Sequence, residues 1–263
     1  MTVREALRLA ERELAAAGVD TPRVDAELLL AHVLDTSRSG VYAQADAEVP
    51  DTWQVLLGRR VEREPLAYVL GEWGFRGLVL KTDARALVPR PETEIVVERC
   101  LELLRGMRTP SVLDVGTGTG AIALAIADEH PGSRVTAVDS SCAAVGLARE
   151  NAERLGLAVE VREGNLDVAA DGWDLVVSNP PYVTPEEWDA LQPEIRNWEP
   201  RAALVGVGLH ERLAGIAQTR FLVLETHECQ TRDVSGTLTS LGYTDVRVTA
   251  DLAGKLRVVE GRR

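Results

Sequence analysis

Cysteine is scarce in this 263-residue chain: Cys100, Cys142 and Cys229 lie far apart with no C-x-x-C spacing. That spacing argues against both a disulfide framework and a zinc site, and the three read as buried or incidental thiols. The four histidines, His32, His130, His210 and His227, also lack ligand spacing, so no metal is expected. Long apolar runs are missing too. No stretch approaches the roughly 18 residues of a membrane span, and the start, MTVRE, has no secretory core, so the expected setting is cytoplasmic with no membrane partner. Basic charge is short: 29 Lys and Arg face 41 Asp and Glu, for a net charge of −12. Such a balance opposes the phosphate-neutralising patch of a nucleic-acid binder, although Arg59, Arg60 and Arg63 leave room for a local basic groove. A protein or small-molecule substrate fits better.

What is present describes an ordinary globular protein, 45% hydrophobic and 27% charged, long enough for one large domain and a small one. Arg4 to Ala17 is rich in Ala, Leu and Glu and stops at Gly18, which predicts a helix. Thr21-Pro22 offers an N-cap followed by proline for a second, with Val24, Leu28, Leu29 and Val33 on one face. Asp51 is placed to cap a third that runs to Pro65. Three short helices would make a small bundle over residues 1–70. Residues 71–88, with glycines at 71, 74 and 77 and alternation around Leu78-Val79-Leu80, predict a hairpin bridge to a catalytic domain over 89–263.

From Ser111 onward, short Val/Leu strands alternate with helical patterns. The predicted strands are 111–115, 135–139, 159–163, 174–178, 221–225, 244–249 and 255–260. Crossover-length segments between the first four imply a mostly parallel sheet. The last two are too close for a crossover and should pair antiparallel.

Two constellations carry chemistry. In VLDVGTGTGAIALAIA, residues 112–127, Gly116, Gly118 and Gly120 fall in a strand-to-helix turn where backbone can approach a ligand. Asp139 ends the next strand and is placed to accept from ribose hydroxyls, a role shared by NAD and S-adenosylmethionine. Asp114 would repel a pyrophosphate but suits the cationic methionine end of S-adenosylmethionine. The second is DLVVSNPPYV, residues 174–183: two prolines end the strand and leave a stiff corner at the sheet's carboxyl edge. There the Asn179 side-chain carbonyl and the Pro180 backbone carbonyl can accept both hydrogens of a planar NH₂ group, while Tyr182 supplies a packing face.

These motifs, with AVDSSCAAVGLARENAERLGL, resemble a class I S-adenosylmethionine-dependent methyltransferase of the amino-group type. LVPRPETE, DAELLLAHVL, EPLAYVLGEWGFRGL, EPRAALVG and DLAGKLRVVEGRR narrow the resemblance to the protein N(5)-glutamine methyltransferases of the HemK/PrmC family, over nearly the whole chain. The resemblance implies a Rossmann-like α/β sheet of seven strands with an antiparallel last strand, a helical docking domain, S-adenosylmethionine as cofactor and peptide-chain release factors as partners. It places Asp114, Gly116, Thr117, Gly118, Thr119, Gly120, Asp139, Asn165, Leu166 and Asn179 at the cofactor. It gives Asn179, Pro180 and Tyr182 the catalytic roles, and sets Pro181, Arg90, Glu92 and Thr93 beside them at the substrate. Glu199-Pro200-Arg201 matches a family element whose role is not derivable from sequence.

The chain also departs from the pattern. Asn165-Leu166 stands where an Asp and an aromatic residue are usual, residues 206–220 lack the usual Pro-Gly turn, and ETHECQ, residues 225–230, replaces a Glu-small-Gly-like corner. Other readings therefore stay open: N-methylation of an exocyclic amine of DNA or RNA, methylation of a ribosomal-protein glutamine, a non-catalytic cofactor-binding protein, and last an NAD-dependent oxidoreductase.

Overall fold

A computed structural model describes residues 1–263, which form two compact units. The first comprises Met1–Glu72 together with Gln192–Trp198. It contains five helices before the sheet begins, α1 (Val3–Ala16), α2 (Pro22–Val33), α3 (Arg38–Ala43), α4 (Thr52–Val61) and α5 (Leu66–Leu70). Three were expected, because α3 and α5 are too short to show a periodic face. Two expected caps also differ. The Asp51 side chain makes no cap hydrogen bond, and the Thr21 hydroxyl donates instead to the Asp25 carboxylate at 2.8 Å.

The arginines near residue 60 form no free basic groove, since each is bound by a carboxylate of the same unit. Arg59 pairs with Glu64 at 2.6 Å, Arg60 with Asp25 at 2.7 Å, and both Arg60 and Arg63 with Glu194, at 2.8 and 2.6 Å. Arg60 is buried, and burial of a guanidinium demands such partners.

The second unit, Trp73–Leu191 with Glu199–Arg263, opens on the hairpin β1 (Glu72–Phe75) and β2 (Leu78–Lys81). After α6 (Glu94–Leu103) the alternation begins: β3 (Ser111–Val115), α7 (Ala121–Glu129), β4 (Arg134–Asp139), α8 (Cys142–Leu155), β5 (Val159–Glu163) and β6 (Trp173–Ser178). The short helix α9 (Pro185–Trp188) and, in the segment that belongs to the first unit, α10 (Pro193–Trp198) precede α11 (Leu209–Ile216), β7 (Thr219–Glu225), α12 (Thr231–Ser240), β8 (Thr244–Ala250) and β9 (Leu256–Arg262). The seven-stranded sheet has the order β5-β4-β3-β6-β7-β9-β8, parallel except where β9 runs against β7 and β8.

Period-2 alternation divides the core. Val112, Val177 and Val223 face one layer with α6 and α7, while Leu113, Val176 and Leu222 face the other with α11 and α12. Both faces are covered, so the strands read as near-continuous apolar runs. Successive strands are added to one side of β3 through β4 and β5 and to the other side from β6 onward, and ligands bind at such a switch point.

Candidate active site

At the carboxyl end of β3 the chain turns through Gly116, Gly118 and Gly120, with φ of +76°, +57° and +88°. These left-handed values favour glycine, and a Cβ on Gly120 would meet Leu124 at 2.9 Å. The turn is held from three sides. Gly116 and Thr117 N–H donate to the Val138 carbonyl at 2.9 and 3.0 Å, and Gly118 N–H donates to Asp139 Oδ2 at 2.9 Å. Asp139 Oδ1 accepts from Ser141 N–H at 2.9 Å, which leaves the carboxylate at the cavity edge with lone pairs to spare. Fully buried Asn151 donates to the Thr119 and Lys81 carbonyls at 2.9 and 3.1 Å and accepts from Lys81 N–H at 2.7 Å. It thereby ties β2 to the glycine turn, a role no sequence signal disclosed.

A cavity of about 210 Å³ lies over this turn. Gly116 to Thr119, Asp139, Asn179, Pro181, Arg90 and Thr93 line it, together with Val88, Ser141 and Ala203, which sequence reasoning missed. Several expected site residues lie elsewhere. Asp114 is fully buried beneath the turn and accepts from the Thr117 hydroxyl at 2.6 Å, so it shapes the loop rather than lining the cavity. Burial pushes its carboxyl up to about 7, and Oδ1 has no partner. Gly120 lies under the start of α7. Asn165 is exposed and accepts from Asp167 N–H, while Leu166 packs on the core of the α11 and α12 face; neither lines the cavity. Glu92 lines a separate 260 Å³ hollow with Arg76, Glu98 and Asp251.

The Asn179–Tyr182 corner begins where Ser178 Oγ donates to the Val115 carbonyl at 2.7 Å, locking β6 to β3. Asn179 Nδ2 reaches Thr93 Oγ1 at 3.4 Å, and Pro180 is buried. Residues 204–206 pair along the corner: Val183 N–H donates to Leu204 and Gly206 N–H returns to Val183, at 2.9 and 3.1 Å. A Cβ on Gly206 would meet the Pro181 carbonyl at 2.9 Å, which explains a glycine there. Tyr182 turns away from the first cavity into a neighbouring 230 Å³ hollow. Its ring lies 6.4 Å from those of His210 and His227, and burial, then the nearby Glu225 carboxylate, pushes its hydroxyl up to about 12.

Two distant motifs meet. Arg90 donates to Glu199 at 2.6 Å, and the Glu199 side chain is only 1% exposed. Burial raises the Glu199 carboxyl above its ordinary range despite Arg90. This pair gives Glu199 of EPRAALVG a role: it anchors the LVPRPETE stretch against the cavity.

Comparison with known proteins agrees across the chain. Residues 5–71 match the family described as PrmC N-terminal domain and residues 93–195 the one described as Methyltransferase small domain. A release factor glutamine methyltransferase of Deinococcus radiodurans is 40% identical, with 100% of this chain and 99% of that protein covered. The protein of the same name from Geobacter sulfurreducens is 38% identical, covering 99% and 96%. Among solved structures, the hMettl16 catalytic domain in complex with a 3′UTR hairpin is similar at a TM-score of 0.59 and 16% identity, over 83% of each chain. The T. thermophilus 16S rRNA methyltransferase RsmC in complex with AdoMet and guanosine is similar at 0.52 and 18%, over 73% of this chain and 49% of that one. At such identities they show the class I methyltransferase fold alone.

Proposed function

This chain belongs to the release factor glutamine methyltransferase family, and from that membership we infer that it transfers a methyl group from S-adenosylmethionine to the side-chain amide nitrogen of a release-factor glutamine. Its partners on this reading are peptide-chain release factors presenting a Gly-Gly-Gln glutamine. The observation that carries the reading is the position of Asn179, which lines the same cavity as the glycine turn and Asp139.

The donor set fits the cofactor: positive-φ glycines permit close backbone approach, and the Asp139 carboxylate suits ribose hydroxyls. When bound, S-adenosylmethionine supplies an electrophilic methyl on a sulfonium. Gly116 to Thr119 and Asp139 would hold it. An amide nitrogen is a poor nucleophile because its lone pair is delocalised, so the protein's task is orientation. Asn179 Oδ1 and the Pro180 carbonyl would take the two amide hydrogens, fixing the nitrogen for attack, and positioning of this kind lowers barriers by up to about 7–11 kcal/mol. Tyr182, held between His210 and His227, walls the side on which the glutamine chain would enter. Cytoplasmic action is part of the proposal; no helix is long and apolar enough to cross a membrane.

Intact-peptide mass spectrometry of a release factor incubated with the protein and S-adenosylmethionine tests this. One added methyl on the Gly-Gly-Gln glutamine, absent with Asn179→Ala while cofactor affinity survives, is expected. Cofactor binding without any methylated release factor would overturn the substrate assignment.

A further inference from the structure

The carboxylate of Glu225, at the carboxyl end of β7, is buried at 2% exposure and takes no part in the chemistry described so far. Ser178 pairs with Leu224 across β6 and β7, so the next residues, Asn179 and Glu225, stand side by side at the sheet edge. The Thr93 hydroxyl and, with smaller effect, the Asn179 amide lie near the Glu225 carboxyl and favour its anion, while its Oε2 has no hydrogen-bond partner. Asn179 Nδ2 in turn reaches Thr93 Oγ1 at 3.4 Å. The backbone of Glu225 is held as well, with His210 Nε2 2.8 Å from its carbonyl oxygen.

An asparagine amide has a donor end and an acceptor end, and only the oxygen end can receive an NH₂ group. Orientation at position 179 therefore has to be imposed by neighbours. We propose that Glu225 is a positioning residue for methyl transfer: acting directly and through Thr93, its carboxylate draws the Asn179 nitrogen into the protein and so turns the oxygen toward the substrate amide. The proposal rests on the reading of Asn179 as the amide-holding residue.

Protonation would weaken this arrangement. A carboxylate only accepts; a carboxylic acid carries a hydroxyl that donates, and it can attract the Asn179 oxygen instead of the nitrogen. Burial foremost, with Glu92 opposing and Thr93, Arg257 and Asn179 favouring the anion, raises the Glu225 carboxyl to about 7. Arg257 on β9, Glu92 before α6, and Tyr182 after β6 are the charged or titratable groups that face it, and His210 on α11 touches its carbonyl. The anion dominates above about pH 7, and orientation is lost as pH falls through that value.

The test follows the Asn179 side-chain amide resonances by ¹H–¹⁵N NMR between about pH 5.5 and 8.5, assigned by their disappearance in Asn179→Asp. They are expected to titrate in the wild type and to lose that titration in Glu225→Gln, which keeps the shape of the side chain. Alongside, Glu225→Leu is expected to lower kcat on a release factor by roughly 10- to 100-fold with unchanged S-adenosylmethionine affinity. The acid limb of the wild-type rate profile should vanish in Glu225→Gln. Persistence of the amide titration in Glu225→Gln, or no titration in the wild type, overturns the proposal. Failure of the wild type to methylate a release factor while the titration stands would sink the substrate assignment alone.

Discussion

Single side chains in this site derive their properties from burial more than from ion pairs. Asp114 is the clearest case, since its carboxyl has one hydroxyl partner and one empty oxygen. Because its native value is raised to about 7, the folded protein binds this proton more tightly than the unfolded chain. The associated stability is fully present below about pH 4 and is lost as pH rises through about 7, a difference of up to about 4 kcal/mol. Asp114→Asn removes the titration, so its stability relative to wild type should improve steadily from pH 4 to pH 8. Urea unfolding at both ends of that range measures the trend; a constant gap would refute it.

At the level of elements, the Asn179–Tyr182 corner depends on what lies beside it. The 204–206 segment hydrogen-bonds along it, and Gly206 allows backbone-to-backbone contact with Pro181. Gly206→Ala places a methyl 2.9 Å from both Pro181 and Leu209, so one of them must move. We expect a loss of about 1–3 kcal/mol in stability, typical of overpacking, and a fall in kcat larger than any change in S-adenosylmethionine affinity. Equal kcat in Gly206→Ala and wild type would show that the corner tolerates displacement. The residues from 206 onward diverge from the family pattern, yet this glycine is required by the geometry of the corner itself.

On the scale of the whole molecule, the helical unit incorporates residues 192–198 from far along the chain. Glu194 within that segment joins Arg60 and Arg63, and the three side chains are 13%, 7% and 17% exposed. Removing one member of a buried pair leaves an uncompensated charge, which costs about 3–5 kcal/mol. Glu194→Ala should lose stability on that order and expose the segment to trypsin at Arg196. Unchanged proteolysis and an unchanged urea midpoint would mean that apolar contacts alone retain it.

The sequence by itself determined the seven strands to within about two residues at each end, the glycine turn, the Asn-Pro-Pro-Tyr corner and the family. These follow from local causes: alternation, β-branched runs, and glycines and prolines that permit or forbid particular φ values. Tertiary structure alone decided the rest. It buried Asp114 under the glycine turn instead of setting it at the methionine end of the cofactor, turned Tyr182 into a second hollow, and packed half-buried Leu166 against the core. It also joined Arg90 to Glu199 and Asn179 to Thr93, and set Glu225 beside that pair, across separations that no periodicity records. The physical reason is that a buried polar group must find partners wherever the chain brings them. Which partners arrive depends on strand order and register, and those exist only once the sheet has formed.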